Sequence, residues 1–188
     1  MKLIKDVVAK LEKKLNDIPL MFKLYAWPYK AILKKEIDLA QITADDVVLN
    51  VGCGAMPFSA VYLAELTGAK VLALDRDQEV IDRAESCIQN LGLEDKIEVL
   101  EGDAIEFEPP EFTVALIALQ AEPKVDILNN LLANAKKGAR LIFRQPRDYF
   151  EDQYDYLPTD YQPDALKRQK MITFDRSVLF TKEVSNVQ

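Results

Sequence analysis

The sequence predicts one α/β domain in which helices cover both faces of a mostly parallel sheet, with an antiparallel hairpin at its end. Short β-rich apolar runs alternate along the chain with longer amphipathic segments, a pattern typical of parallel strands joined by right-handed crossover helices. The run at residues 47–51 is apolar on both faces, as in a strand buried at the middle of such a sheet. The last two apolar runs follow each other with no helix between them, which predicts the hairpin.

Residues 1–44 are expected to form a short helical cap in front of the main domain. Apolar side chains recur at three- and four-residue steps over residues 3–18, which indicates an amphipathic helix. A second helical segment, residues 21–39, is rich in aromatic residues and is interrupted by Pro28. Because the cap is too short to fold alone, the domain proper is predicted at residues 45–188.

Seven strands and three crossover helices are predicted in this domain. The strands are expected at residues 47–51, 71–74, 97–100, 114–119, 139–143, 171–174 and 177–180. Glycine is favourable just past the end of a helix, and proline in its first turn. The helix boundaries predicted on this basis are Pro57 and Gly68, Asp77 and Gly92, and Pro123 and Gly138. Asp77 is predicted to be an N-cap, and Asp175-Arg176 to be the tight turn of the hairpin.

A glycine turn, Gly52-Cys53-Gly54, joins the first strand to the first crossover helix. Glycines in such a turn let the backbone approach a nucleotide closely. Asp75 ends the second strand about 20 residues further on, where a carboxylate can accept hydrogen bonds from ribose hydroxyls. The glycine pair alone is equally compatible with a plain strand-to-helix turn. The strand, turn, helix, strand and carboxylate in register predict a nucleotide site.

The composition is that of an ordinary globular protein. At 188 residues the chain is long enough to bury a core without disulfides or metals, and 49% hydrophobic with 29% charged residues fits that class. No apolar run is long enough to span a membrane, and the N-terminus lacks the uninterrupted apolar core of a signal peptide. We therefore expect a cytoplasmic protein with no membrane partner.

Charge and residue types argue against two further classes of function. The formal net charge of −7 disfavours a nucleic-acid partner, because affinity for a polyanion comes largely from basic patches. The chain has no histidine, and its two cysteines, Cys53 and Cys87, form no Cys-x-x-Cys pair. A transition-metal centre is therefore not expected, and any proton transfer must use a carboxylate, tyrosine, lysine or water.

The order of these elements, together with three motifs, resembles the class I S-adenosylmethionine (SAM)-dependent methyltransferase superfamily. The motifs are Asn50-Val51-Gly52-Cys53-Gly54, Asp75 and Gly102-Asp103-Ala104, and the likeness covers about residues 45–181. The resemblance implies a Rossmann-like seven-stranded fold with SAM as cofactor. It also implies that the glycine turn meets the methionine and ribose part of SAM, the strand-two acid the ribose hydroxyls, and the aspartate-alanine pair the adenine. The implied cofactor-binding residues are Gly52, Cys53, Gly54, Ala55, Asp75, Arg76, Asp103, Ala104 and Leu119.

Departures from the common superfamily pattern favour one branch. Met56 stands where the usual Gly-x-Gly-x-Gly has its third glycine, and Asn50 stands where an acid is frequent. Residues 52–57 look instead like the Gly-x-Gly-Pro-Leu-Pro turn of nicotianamine synthases, which share this fold. Further agreement with that branch lies in Ala-Glu-Pro-Lys at 121–124, Arg144, Tyr-Leu-Pro at 156–158, and Pro28-Tyr29 followed by Glu36.

The resemblance implies two reactions. Methyl transfer to a small molecule releases S-adenosylhomocysteine (SAH), and it is the first expectation because it is the commonest reaction in the superfamily. The alternative, favoured by the local motifs, is transfer of the 3-amino-3-carboxypropyl group to an amine with release of methylthioadenosine (MTA). A further alternative is a non-catalytic module that binds SAM or a nucleotide. Nucleobase substrates are disfavoured, because residues 119–123 read Leu-Gln-Ala-Glu-Pro and not Asn/Asp-Pro-Pro-Tyr/Phe.

The expected acceptor is a small molecule, with amines and amino acids as one class. An attacking amine must be neutral, which calls for a nearby base and favours an anionic, aromatic-lined entrance. The catalytic candidates are Glu36, Tyr29 and Glu122, and the substrate-binding candidates are Arg144 and Tyr156. Two of these have a plain structural alternative: Glu122 as a favourable acid at a helix N-terminus, and Arg144 as the partner of a neighbouring acid.

Overall fold

The computed structural model of the protein describes residues 19–183, with side chains from residue 29 onward. The helix predicted at residues 3–18 lies outside the described residues. The described part contains four α-helices, α1 (Pro19–Ala40), α2 (Phe58–Thr67), α3 (Gln78–Leu91) and α4 (Lys124–Asn134). Its seven strands are β1 (Val47–Val51), β2 (Lys70–Asp75), β3 (Ile97–Glu101), β4 (Val114–Ile117), β5 (Arg140–Pro146), β6 (Ala165–Arg168) and β7 (Phe174–Thr181). No helix among these is long and apolar enough to cross a membrane.

The strands form one sheet in the order β3-β2-β1-β4-β5-β7-β6. Strands β1 to β5 are parallel, whereas β7 runs antiparallel to β5, and β6 runs antiparallel to β7. The predicted Rossmann-like, mostly parallel sheet with a C-terminal antiparallel hairpin is confirmed. The carboxyl ends of five strands therefore share one edge, and the strand order reverses between β1 and β4, which is where such sheets bind ligands.

Local sequence signals place the ends of α2 and α3 correctly, whereas α4 ends at Asn134, before the predicted Gly138. Gly68 (φ 76°) and Gly92 (φ 65°) follow α2 and α3 in the left-handed conformation, which glycine adopts without steric cost. The Asp77 carboxylate accepts a hydrogen bond of 2.9 Å from the Glu79 N–H and caps α3 as predicted. These contacts join residues a few positions apart, so the sequence alone is enough to predict them.

The closing hairpin differs from its predicted boundaries. The predicted turn, Asp175-Arg176, lies inside β7, and residues 171–173 lie in the connection from β6. Arg176 is the register partner of Gln145 in β5 and of Arg168 in β6. Asp175 forms ion pairs with Arg168 (3.4 Å) and Arg176 (2.9 Å). Pairing across the sheet therefore overrides the local turn signal of these two charged residues.

Two other elements also depart from the prediction. α1 continues through Pro28, where an interruption was expected. Proline removes one helical hydrogen bond, and the burial of Ile32 and Leu33 in the following turns offsets that loss. β4 ends at Ile117 because Ala118 already belongs to a turn, in which its carbonyl accepts from the Ala121 N–H at 3.3 Å.

The cap helix shares the core of the main domain. One face of the sheet packs against α1, α2 and α3, and Leu33 of α1 belongs to the same buried cluster as Leu63 of α2 and Ile88 of α3. The other face packs against α4 through Leu128 and Leu131. Since α1 also contacts β5, β6 and β7, it covers the half of the sheet that α2 and α3 leave open.

Asp46 joins the cap to the amino ends of the parallel strands. Its carboxylate accepts hydrogen bonds from the Thr43 N–H (2.8 Å) and the Thr113 hydroxyl (2.6 Å), and it pairs with the Arg140 guanidinium. Burial raises the pKa of this carboxyl, but the hydrogen bonds from Thr113 and Thr43 and the charge of Arg140 outweigh burial, so the pKa lies below its ordinary 3.8. A carboxyl whose pKa is depressed by folding stabilises the native state above its unfolded pKa.

We predict that Asp46→Asn lowers the free energy of unfolding by about 1–3 kcal/mol at neutral pH. The difference from wild type should shrink as the pH falls from about 3.8, the ordinary pKa of an aspartate, to below the lower native pKa, because protonation then removes the charged contacts of the wild type. Urea denaturation over a pH series measures it, with the exposed Asp45→Asn as the control. A difference that stays constant down to the acid transition would contradict the assignment.

Candidate functional site

The glycine turn lies at the carboxyl edge of the sheet between β2 and the loop that follows β4. Gly52 and Gly54 both have a φ of 72°, a conformation that L side chains rarely adopt. The Gly52 N–H donates to the Leu74 carbonyl at 2.8 Å. A Cβ on Gly52 would lie 3.3 Å from the Ala118 Cβ, whereas a Cβ on Gly54 would meet open space. The turn is therefore packed at its first glycine and open at its second.

Asp75 fixes this turn to the end of β2. One carboxylate oxygen accepts from the Gly54 N–H at 3.0 Å, and the other accepts from the Arg76 N–H at 2.9 Å. The residue is only partly buried, so its remaining lone pairs can be reached from outside. The predicted ribose-binding acid thus stands directly beside the glycine turn.

The predicted adenine-side residues follow on the next strand. The Arg76 guanidinium lies 3.6 Å from the Asp103 carboxylate, and Asp103 also accepts from the Ile105 N–H at 3.2 Å. Ala104 is buried. On the opposite side of the turn, Leu119 is buried in the loop after β4. The strand order β3-β2-β1-β4 therefore brings all nine predicted cofactor residues to one edge of the sheet.

Two features of the turn fit SAM. The open space beside Gly54 lets a ligand approach the backbone. Asn50, two residues before the turn, is 1% exposed; its amide nitrogen donates to the Leu116 carbonyl at 3.3 Å, while its Oδ1 has no hydrogen-bond partner among the described residues. A buried acceptor without a donor is costly, and a bound group that donates to it would remove that cost. The residues present are therefore compatible with this cofactor.

Cys53 contributes no nucleophile to the site. Its side chain is buried, and burial, reinforced by the charge of Asp75, raises the pKa of its thiol far above the ordinary 9.0. The thiol form is a poor nucleophile. Residues 29–183 also contain no group of three or more acidic or cysteine side chains that could hold a metal ion.

A buried ion pair joins the cap helix to the sheet on the α1 side. The Arg144 guanidinium donates from Nε (2.9 Å) and Nη2 (2.8 Å) to the two oxygens of the Glu36 carboxylate. The Ser177 hydroxyl donates to the same carboxylate at 2.7 Å, and the Gln169 amide donates to that hydroxyl at 3.2 Å. Glu36 is 0% and Arg144 is 4% exposed. Arg144 was expected either to bind a substrate or to pair with an acid. The structure shows the second, with Glu36 as the acid.

The Glu36 carboxylate stabilises the positive charge of Arg144. Burial lowers the pKa of Arg144, but the Glu36 carboxylate raises it more, so the net pKa lies above its ordinary value. The guanidinium also lies 5.5 Å from the centre of the Phe174 ring, which is a favourable cation–π distance. Three hydrogen bonds already engage the carboxylate oxygens of Glu36. Both residues of the pair therefore have a structural role.

The remaining predicted site residues lie around the same edge. Tyr29 of the cap helix is half-buried and stacks on Phe58, with ring centroids 5.5 Å apart. Phe58 begins α2 directly after the glycine turn, so Tyr29 stands close to the turn. Glu122 is exposed in the loop after β4. Tyr156 is 40% exposed in the segment that follows β5.

A small cluster of mainly aromatic side chains joins the cap to the tail, which is the segment of residues 148–164 between β5 and β6. Its buried members come from α1, the loop after β4, the tail and the start of β7, and they are Ile32, Leu119, Tyr154 and Phe174. Tyr29, Phe150 and Met171 pack against them. The cap helix and the tail therefore meet over the loop that carries the predicted cofactor residue Leu119.

Sequence reasoning gave no role to three residues that organise this edge, Lys124, Gln145 and Ser177. Lys124 donates from its ammonium to the Leu119 carbonyl at 2.8 Å, and its N–H donates to the Asp155 carboxylate at 2.6 Å. Gln145 accepts from the Leu157 N–H at 3.0 Å, and Ser177 completes the buried ion pair. One signal was present: a lysine at the first position of a helix opposes the helix dipole and so calls for an explanation.

We predict that Glu36→Gln lowers the free energy of unfolding by about 3–5 kcal/mol, because it leaves the Arg144 charge buried without its partner. The double variant Glu36→Leu/Arg144→Met should lose much less than the sum of its single variants, since it buries no charge. Urea denaturation measures these values. The exposed Asp38→Asn on the same helix is the control, and equal losses for Glu36→Gln and Asp38→Asn would contradict the account.

Comparisons with known proteins agree with this geometry. The family model described as "Methyltransferase domain" matches residues 42–178. A curated relative, the L-histidine 2-aminobutanoyltransferase of Yersinia pestis, is 28% identical over 120 residues, covering 64% of this chain and 45% of that protein. The probable cobalt-precorrin-6B C(15)-methyltransferase (decarboxylating) of Methanothermobacter thermautotrophicus is 34% identical over 108 residues, covering 55% of this chain and 54% of that protein. The chain thus spans about half the length of these relatives.

Solved structures give the same fold. A glutamate-to-glutamine mutant of MtNAS, a nicotianamine synthase, superposes with a TM-score of 0.84 at 21% identity, covering 97% of this chain and 74% of that chain. MtNAS has also been solved with MTA and tNA and with SAM. At this identity the likeness shows the fold alone. The family model covers most of the chain, and the chain therefore belongs to the methyltransferase-domain family.

Proposed function

We propose that this protein transfers the 3-amino-3-carboxypropyl group of SAM to an amine of a small molecule and releases MTA. The observation that carries this proposal is the shape of the turn after Gly54. Where the common superfamily turn has its third glycine, this chain has Met56, which is 2% exposed and packs in the core with Phe58 and Tyr62. The side chain of Ala55 is buried as well.

An apolar anchor at this position changes the course of the turn. A third glycine leaves the backbone free to approach the methionine part of the cofactor, whereas Met56 ties the turn to the core beneath it. The resemblance places the methionine part of SAM at this turn. We propose that this difference in shape changes which carbon attached to the sulfonium is presented to the acceptor, because the chain resembles the nicotianamine synthase branch in its variant turn.

The names of relatives support a related transfer, in which a four-carbon group that carries an amine passes to an amino acid. The L-histidine 2-aminobutanoyltransferase of Yersinia pestis is named for transfer of a 2-aminobutanoyl group to L-histidine. MtNAS binds MTA, the nucleoside released by the proposed reaction. By analogy, we propose an amine or an amino acid as the acceptor for this chain.

The cofactor supplies an electrophilic carbon beside its sulfonium, so the protein must hold a neutral amine in line with it and keep water out. A protonated amine first has to lose a proton. Glu122 is the exposed carboxylate of the loop after β4, and we assign it the role of proton acceptor. The carboxylate of Glu36 is engaged with Arg144 and Ser177, so we assign Glu36 and Arg144 to holding the cap helix in place.

The cap and the tail are proposed to wall the acceptor pocket. Tyr29 reaches the start of α2 through its stacking on Phe58, and the exposed Tyr156 lies in the tail. Residues 148–164 carry six aspartates and glutamates and no arginine or lysine. Aromatic rings and negative charge together attract a protonated amine.

Methyl transfer is the second candidate, and a specific finding favours it. The matching family model is described as a methyltransferase domain, and the relative from Methanothermobacter thermautotrophicus, at 34% identity, is named as a methyltransferase. The fold supports both reactions, so the products must decide between them.

Isotope-labelled SAM distinguishes the reactions even before the acceptor is known. The protein is incubated with L-histidine and a panel of other amino acids and amines, using SAM labelled either in the methyl group or in the aminocarboxypropyl group. We predict that the aminocarboxypropyl label moves to the acceptor while the methyl label stays with MTA, as read by mass spectrometry. Movement of the methyl label to the acceptor would establish methyl transfer instead.

The Glu122→Gln variant tests the proton acceptor in the same assay. Loss of a positioned base typically slows turnover by about 10²–10⁴-fold, and cofactor binding should be unchanged because Glu122 is not among the predicted cofactor-binding residues. Unchanged turnover would remove Glu122 from this role. Tight SAM binding without transfer to any acceptor of the panel would support the binding-module alternative.

A further inference from the structure

Lys124 is an unusual residue for its place in the fold. It is the first residue of α4, where a positive charge opposes the helix dipole, and it is 0% exposed. Burying an ammonium is costly unless its hydrogen bonds are satisfied. Its Nζ donates to the Leu119 carbonyl at 2.8 Å and to the Ala121 carbonyl at 3.1 Å. The ammonium therefore holds the loop that leads into its own helix.

This loop, residues 118–123, packs directly on the glycine turn. A Cβ on Gly52 would lie 3.3 Å from the Ala118 Cβ and 3.5 Å from the Ala121 Cβ. The Ala118 N–H donates to the Val51 carbonyl at 3.0 Å. The loop and the glycine turn thus pack together as one wall. Lys124 fixes the Leu119 and Ala121 carbonyls on the loop side of this wall.

The strand order indicates which part of the cofactor this wall borders. Asp103 follows β3, Asp75 ends β2, and the glycine turn follows β1. The loop after β4 comes next in the sheet, on the side away from Asp103. If the adenine and ribose lie toward β3 and β2, as the shared fold implies, the loop borders the methionine end of SAM.

The same lysine also binds the tail. Its backbone N–H donates to the Asp155 carboxylate at 2.6 Å. Two residues further on, the Leu157 N–H donates to the Gln145 side chain at 3.0 Å, and Leu157 is buried. Lys124 is therefore the residue at which the cofactor loop and the tail are joined.

We propose that Lys124 is a positioning residue, whose buried ammonium holds the loop after β4 against the glycine turn and so shapes the site for the aminocarboxypropyl part of SAM. It acts through Leu119 and Ala121 and does not touch the reacting atoms. The inference depends on SAM as the cofactor but not on which group is transferred. It therefore stands or falls separately from the proposed reaction.

The test compares two nucleosides by calorimetry. SAH contains the aminocarboxypropyl group and MTA lacks it, while both contain the adenosine part. Lys124→Met keeps the length of the side chain but removes the ammonium. We expect SAH to bind about tenfold or more weakly than to wild type, as for the loss of about one hydrogen-bonded contact, while the affinity for MTA changes by less than about threefold.

Two control variants separate positioning from general damage. Asp75→Ala removes the predicted ribose contact and should weaken SAH and MTA alike. Lys137→Met removes an exposed positive charge beyond the end of α4 and should change neither. Equal weakening of both nucleosides by Lys124→Met, or no weakening in a folded protein, would overturn the proposal.

A second variant keeps the test decisive if Lys124→Met does not fold. Ala121→Val retains the Lys124 ammonium but enlarges the side chain that packs beside Gly52. It should weaken SAH selectively, for the same geometric reason. Wild-type affinity of a folded Ala121→Val protein for both nucleosides would show that the loop does not border the methionine end, and would overturn the inference.

Discussion

The fold depends on the buried ion pair between Glu36 and Arg144. Besides this pair, the cap helix is held over the sheet by apolar contacts, which tolerate sliding, and by hydrogen bonds from Lys35 to the Arg168 carbonyl (2.8 Å) and from Arg140 to the Ala40 carbonyl (2.6 Å). Two hydrogen bonds from the guanidinium and one from Ser177 set the rotation of the helix. Tyr29, two turns earlier on the same helix, is thereby directed toward Phe58 and the glycine turn. A pair remote from the predicted cofactor residues thus sets the position of Tyr29 beside the glycine turn.

The cofactor edge is organised in the same way, by a few polar contacts between elements distant in sequence. Asp75 joins β2 to the glycine turn, and Lys124 joins the loop after β4 to the tail. Between these two anchors the backbone of the turn stays open at Gly54. The apolar core holds the strands together, whereas these contacts set the shape of the edge where ligands bind in such sheets.

How much the sequence predicts depends on the distance between interacting residues. Gly68, Gly92 and Asp77 act on their immediate neighbours, so their roles were predictable, as was the mostly parallel sheet with an antiparallel end from the alternating pattern and the resemblance. The partner of Glu36 lies 108 residues away, and no local pattern identifies it. The hairpin was misplaced for the same reason, because pairing of Arg176 with β5 and β6 decides where β7 runs.

The central claim is that the edge from Asp103 to the loop after β4 holds the cofactor with its methionine end toward that loop. A crystal structure of the protein with MTA tests it most directly. We expect the ribose hydroxyls at Asp75, the adenine beside Asp103 and the methylthio group facing residues 118–123. A nucleoside bound in the reverse direction, or at the opposite edge near Asp46, would contradict the account.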